Sequence, residues 1–229
     1  MRPKYLDRSP YRETDEDRVL AKLVSVDLRD VPNEVIGPYS GWAMTTVGGP
    51  ENYRYFLPRI LQLAIEDPTW LGIEPPLLAW RIRKSGWSNF SQEKREAVLR
   101  AFAHAMAEGV SAHPLNDDTY LSWWSGAAAL DWPVELGCEI IRNLHGQNVA
   151  LQIATSIIDE YLNLSKEGRL KAQFAEEYED EAALNEMTRF LLSDETEARI
   201  VKALATASTE DISMTLEPAL TYIALFRSS

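Results

Sequence analysis

Residues 39–64 read YSGWAMTTVGGPENYRYFLPRILQLA, and the fold class is decided there. Tyr53, Phe56, Leu57, Ile60, Leu61 and Ala64 fall at offsets of 0, 3, 4, 7, 8 and 11. That spacing puts six side chains on one face of a 3.6-residue period, and nothing in it alternates as a strand would. Pro50 suits the first helical position, where its missing N–H would have had no partner. Glu51 and Asn52 supply acceptors for the unpaired N–H groups of the first turn. Pro58 is the anomaly. Inside a helix it removes one hydrogen bond and clashes one turn back, at a cost of ~3 kcal/mol. The expectation is a kink, or a helix that ends near Leu57 and a second that starts at Pro58. Gly48 and Gly49 permit positive φ ahead of the helix.

Arg54 and Arg59 follow that glycine loop, and their charges could grip an anion beside it. The alternative is that they are solvated or paired with neighbouring acids. The loop lacks the Lys-Ser/Thr ending of a P-loop and no strand-like run precedes it, so it is not a phosphate cradle by motif. The segment TTVGGPENYRYFLPRI, within a stretch of about 25 residues, resembles one found in uncharacterised bacterial helical proteins, a short glycine loop followed by "yFLPRIL". The resemblance implies a bacterial, all-helical protein and carries no activity with it.

The same helical period recurs outward in both directions. Towards the N-terminus, residues 1–13 are polar with two prolines and read as an extended arm. Thr14 caps a helix to about Leu28, and Pro32 stops it. Residues 31–49 read as a long connection with a short helix at 40–46. Towards the C-terminus, Asp67-Pro68 marks a turn. LLAWRIRKSGW reads as a helix closed by Gly86, and Ser91 caps the next, with Gly109 as its C-cap. Asp117 is the expected cap of YLSWWSGAAAL. After VELGCEIIRNL and Gly146, QNVALQIATSIIDEYLNL reads as one long helix. Residues 165–181 are charged and read as a polar helix or a loose linker. EAALNEMTRFLL, a helix capped at Ser193 or Asp194, and a last helix kinked or split at Pro218 complete the chain. The reading is all-α: about nine to eleven helices in an irregular bundle or stack of helix pairs, forming one domain over 1–229. No fixed repeat period is present.

Composition excludes more than it selects. The chain has 229 residues, 45% hydrophobic and 25% charged, which is ordinary for a globular domain. No run of about 18 apolar residues exists, so no membrane span is expected. No signal peptide is evident, and the single cysteine, Cys138, cannot form an internal disulfide, so the expected compartment is the cytoplasm. Charge is uneven: residues 1–100 carry 15 Lys+Arg and 14 Asp+Glu, whereas residues 101–229 carry 8 and 21. A net charge of −12 without a basic stripe argues against nucleic-acid binding.

No catalytic or metal motif is spelled out. His104, His113 and His145 stand at no ligand spacing, and no HExxH occurs. His104, in AFAHAMA, reads as packed in or beside a core. Acidic Glu135 and Glu139 should raise the Cys138 thiol, which makes it structural rather than reactive. Ser125, in WWSGA, lacks the first glycine of a nucleophile elbow. The acidic run Glu176, Glu177, Glu179, Asp180 and Glu181 reads as a solvated face. Trp80, Arg81, Arg83, Lys84 and Trp87 form the one small basic-aromatic cluster, with residue types that dominate protein interfaces. Of Trp123 and Trp124, one is expected near the core edge.

The candidate binding residues are therefore Arg54, Arg59, Trp80, Arg81, Arg83 and Trp87, with no catalytic residue, metal or cofactor assigned. The expected function is a non-enzymatic interaction module with a protein partner, an immunity-type role being one form of it. The alternative is an enzyme with a helical cleft lined by Trp42, Arg54, Arg59 and acids of the 117–131 region.

Overall fold

The structure is a computed structural model that describes residues 2–4, 6, 14–114, 119–171 and 180–227; of residues 14–18 it describes the backbone alone. Among the described residues the protein is 74% helical, in twelve α-helices, and has no strand. An isolated bridge joins Ala43 and Val47. The chain divides into two compact units, Met1–Ala101 and Phe102–Ser229. Most of the expected arm, Asp117 and Asp118, and the acidic residues Glu176, Glu177 and Glu179 lie outside the described residues.

The first unit holds α1 (Thr14–Ser25), α2 (Asn33–Trp42), α3 (Pro50–Glu66), α4 (Pro75–Lys84) and the start of α5 (Gln92–Ser111). All six residues of the expected face of α3 are buried, joined by Leu63 and Arg59. The Asn52 side chain accepts from the Gly49 N–H at 2.9 Å and fixes the helix start. Of the two loop glycines only Gly48 takes positive φ. Pro58 does not divide α3. It sits on the exposed side of the helix, where water can take the carbonyl that Pro58 leaves without a donor.

The expected connection at 31–49 is corrected: α2 occupies Asn33–Trp42, with Pro38 inside it. Glycine and proline obscured a helix whose Ile36 and Tyr39 are fully buried. Tyr39 packs edge-on against Phe56, ring centroids 5.0 Å apart. Two interior arginines knit the connections to this core. Arg59 donates to the Val31 carbonyl at 2.9 Å and to the Asn33 side chain. Arg81 donates to the carbonyls of Gly72 at 3.1 Å, Gly41 at 3.0 Å and Ser40. Gly72 has φ +87°, and a Cβ there would come within 2.7 Å of the Gly41 Cα and the Ser40 carbonyl oxygen. No other residue fits that turn.

The second unit holds the end of α5 with α6 (Tyr120–Ala128), α7 (Val134–Asn143), α8 (Gln147–Asp159), α9 (Tyr161–Glu167), α10 (Glu181–Leu191), α11 (Asp194–Leu204) and α12 (Glu210–Arg227). All nine residues of α6 are buried. Both Trp123 and Trp124 are therefore interior, where one was expected at the edge. Trp123 packs edge-on to Phe102 at 5.1 Å and Trp124 to Phe190 at 5.8 Å. α6 packs with α7 and α10; α8, α11 and α12 form the other half of the unit.

Four boundaries differ from expectation. Gly109 is not a C-cap; it lies inside α5, and a Cβ there would sit 3.2–3.4 Å from Tyr120. The helix expected over 147–164 is broken at Glu160, whose carboxylate takes the Asn163 side chain at 2.8 Å and the Lys171 N–H at 3.0 Å. Residues 165–167 belong to α9. Pro218 lies within an undivided α12. Of the two caps expected for α11, Ser193 is the one that acts, accepting from the Thr196 N–H at 3.3 Å; Asp180, read only as part of a solvated acidic face, caps α10 by accepting from the Ala182 N–H at 2.8 Å.

Candidate functional site

In the first unit, α3 and α5 frame a groove of about 670 Å³. One wall is α3, through Leu57, Leu61 and Ile65, spaced four apart so that they stack along one ridge. The other is α5, through Lys94, Ala97, Val98 and Ala101 at offsets 0, 3, 4 and 7. Phe90, in the turn after α4, closes one end, and Trp87 lies beneath it with centroids 5.4 Å apart. Exposed Pro58 and Gln62 form part of the rim.

Two cations stand over these apolar walls. The Arg54 guanidinium is held by a hydrogen bond to the Ser85 carbonyl and lies 3.7 Å from Glu51. The Lys94 side chain is exposed and pairs with no acid among the described residues. The described lining contains no carboxylate, imidazole, thiol or hydroxyl group. The groove can desolvate an apolar face and meet a carboxylate at its edge.

The sequence-derived candidates scatter. Arg54 lines the groove. Arg59 and Arg81 are interior and use their guanidinium groups on backbone and side-chain oxygens. Trp80 is half-buried under the Lys84 ammonium, 5.6 Å from the ring centroid. Arg83 is exposed, and Trp87 is buried behind Phe90 rather than on the groove surface. The expected basic-aromatic cluster is thus not one surface: Arg81 points inward from the same helix that carries Arg83 outward. Nor is the enzyme-like cleft assembled within this unit, since Trp42 lines a separate cavity with Trp70 and Leu71.

Sequence reading missed Lys94, Ala97, Ala101 and Phe90. A signal was present: Ala97 and Ala101 repeat at i and i+4 beside the apolar stripe of α5, a second face made of small residues.

His104 is exposed, not packed as expected, because it falls on the opposite face of α5 from Phe102 and Met106. Cys138 is buried, and its thiol is pushed up to about 12, first by desolvation and then by Glu135; Glu186, not the expected Glu139, is the other acid that acts on it. Buried Tyr39, Tyr53 and Tyr120 all have raised phenols, and Arg81 opposes the shift at Tyr39 and Tyr53. No cluster of three metal-ligating side chains occurs among the described residues, and no helix there is long and apolar enough to cross a membrane.

Comparison with known proteins yields no match: no family model, no curated protein and no solved structure corresponds to this chain.

Proposed function

We propose that this protein is a non-catalytic interaction module whose α3/α5 groove receives one amphipathic helix from a protein partner. The observation that carries the reading is the make-up of the groove: aliphatic side chains at helical spacing on both walls, with Arg54 and Lys94 among the lining residues. Leu57, Leu61 and Ile65 repeat at helical spacing, so a third helix laid between the ridges would meet a regular surface. Ala97 and Ala101 are small and let its backbone approach closely. Arg54 and Lys94 suit a partner helix that carries an acidic residue next to its apolar face. The buried, single Cys138 suits a reducing compartment, and the cytoplasm belongs to the same proposal.

The test is selection from a random peptide display library against the purified protein. Enriched peptides should carry apolar residues at i, i+3 or i+4 and i+7 with a flanking Asp or Glu. Their affinity should fall at least tenfold in Ala97→Glu, which puts a charge on the groove wall at an exposed position. Enriched peptides that bind Ala97→Glu and Lys94→Glu as well as the parent would overturn the proposal, as would a selection without enrichment.

A further inference from the structure

The second unit carries a cavity of another character. It measures about 460 Å³ and lies between the C-terminal end of α7, the start of α8 and one face of α11. Residues 101–229 contain only 8 Lys+Arg against 21 Asp+Glu. Yet Arg142, Arg199 and Lys202, three of those eight cations, line this one cavity. Such convergence runs against the composition around it.

The three cations are held differently. Arg199 donates to the Leu144 carbonyl at 2.8 Å and the Ile141 carbonyl at 2.9 Å, so its planar group is fixed in place over the end of α7. Arg142 is bracketed by Glu135 at 2.5 Å and Glu195 at 2.9 Å. Lys202 is exposed and has no acid partner among the described residues. Glu195 is the one carboxylate on the lining. Counting Glu135 as well, three positive groups face two negative ones, and the surplus charge is that of Lys202. His145 and Gln147 complete the polar wall. The cavity also borders the start of α8. There Gly146, at φ +122°, offers no side-chain acceptor to the first-turn N–H groups, and the space where a Cβ would lie is open.

We propose that this cavity is a binding site for a small phosphate-bearing anion. The fixed Arg199 guanidinium and the Lys202 ammonium, one turn apart on α11, supply positive charge, and the first turn of α8 supplies N–H donors at the cavity's border. The volume, about 460 Å³ and open to solvent on one side, accommodates a free phosphate or a small phosphomonoester. The site is separate from the α3/α5 groove and stands or falls independently of it.

The experiment is a titration of the intact protein with sodium phosphate, and in a second arm with glycerol phosphate, against sodium chloride at matched ionic strength. Backbone amide resonances and the thermal midpoint are the readouts. Saturable shifts of the Gln147, Asn148 and Val149 amides and a raised midpoint are expected with phosphate, and neither with chloride. Saturation tighter with glycerol phosphate would identify an esterified ligand; equal saturation would identify free phosphate. Lys202→Ala should weaken the saturation at least fivefold, whereas Lys166→Ala, outside the cavity, should leave it unchanged. Gln147→Glu places a carboxylate at the first turn, so it should raise the midpoint in chloride and abolish the phosphate response. Shifts that rise linearly without saturation, or that survive both Lys202→Ala and Gln147→Glu, would overturn the proposal.

Discussion

The two units of this protein use arginine in opposite ways. Both charged side chains that are buried among the described residues, Arg59 and Arg81, belong to the first unit. They reach carbonyls 9 to 41 residues away in sequence. In the second unit the arginines work at helix ends and on the surface: Arg199 holds the last carbonyls of α7, and Arg227 joins Asp194 at 2.7 Å and Glu197 at 2.6 Å. The interior there is filled by α6, with no charge. The difference follows from the connections. Of the backbone carbonyls these two arginines hold, those of Val31 and Gly72 lie in irregular backbone where no helix provides a donor, whereas those of Ser40 and Gly41 belong to the last turn of α2. In the second unit Arg199 and Arg227 donate to carbonyls at the ends of α7 and α10.

Removing the two kinds of arginine should therefore have unequal effects. Arg81→Leu strips three carbonyls of their donor and should cost about 3–5 kcal/mol by urea denaturation. Arg199→Ala leaves carbonyls that water can reach and should cost about 1–2 kcal/mol. The reverse order would remove the contrast.

Glycine contacts extend the comparison to packing. A Cβ on Gly137 would meet the Trp124 indole nitrogen at 2.2 Å, and one on Gly37 would meet the Trp70 ring at 2.4 Å. Trp124 is fully buried and cannot retreat, whereas Trp70 is half-exposed and can yield at the expense of the bond from its indole N–H to Asp67. Gly137→Ala should cost about 1–3 kcal/mol, and Gly37→Ala should cost less than Gly137→Ala.

The last expected effect concerns alkaline pH. Cys138 moves from 9.0 to about 12 on folding, chiefly through burial. The unfolded chain loses that proton near pH 9 while the folded chain keeps it to about 12. Its contribution is therefore intact below pH 9 and is lost as pH rises across that window. Cys138→Ala should flatten the decline between these values, leaving the part due to Tyr39, Tyr53 and Tyr120. A native thiol that reacts with an aromatic disulfide reagent at pH 8 as fast as in urea would contradict this burial.

Much of the architecture was legible in the sequence, and for a plain reason. The face of α3 is written in a local period, and Tyr53, Phe56 and Ile60 are fully buried as that period requires. α2 was not legible because Gly37 and Pro38 read as breakers. Gly37 is there for the Trp70 ring, more than thirty residues onward, and no local pattern reveals that. At the division between α8 and α9 the Glu160 carboxylate accepts from the Lys171 N–H, and the buried Arg59 and Arg81 donate to distant carbonyls, contacts that no local pattern reveals. The candidate groove was half visible. Arg54 could be named from the sequence, but Lys94 and Ala97 became its neighbours only through the packing of α3, α4 and the turn at Phe90.

The most direct measurement is an amide chemical-shift map of the protein bound to a display-selected peptide. The account predicts perturbations concentrated at Leu61, Ile65, Phe90, Ala97 and Ala101. Perturbations confined to residues 102–229, or centred on the Trp42 and Trp70 cavity, would contradict it.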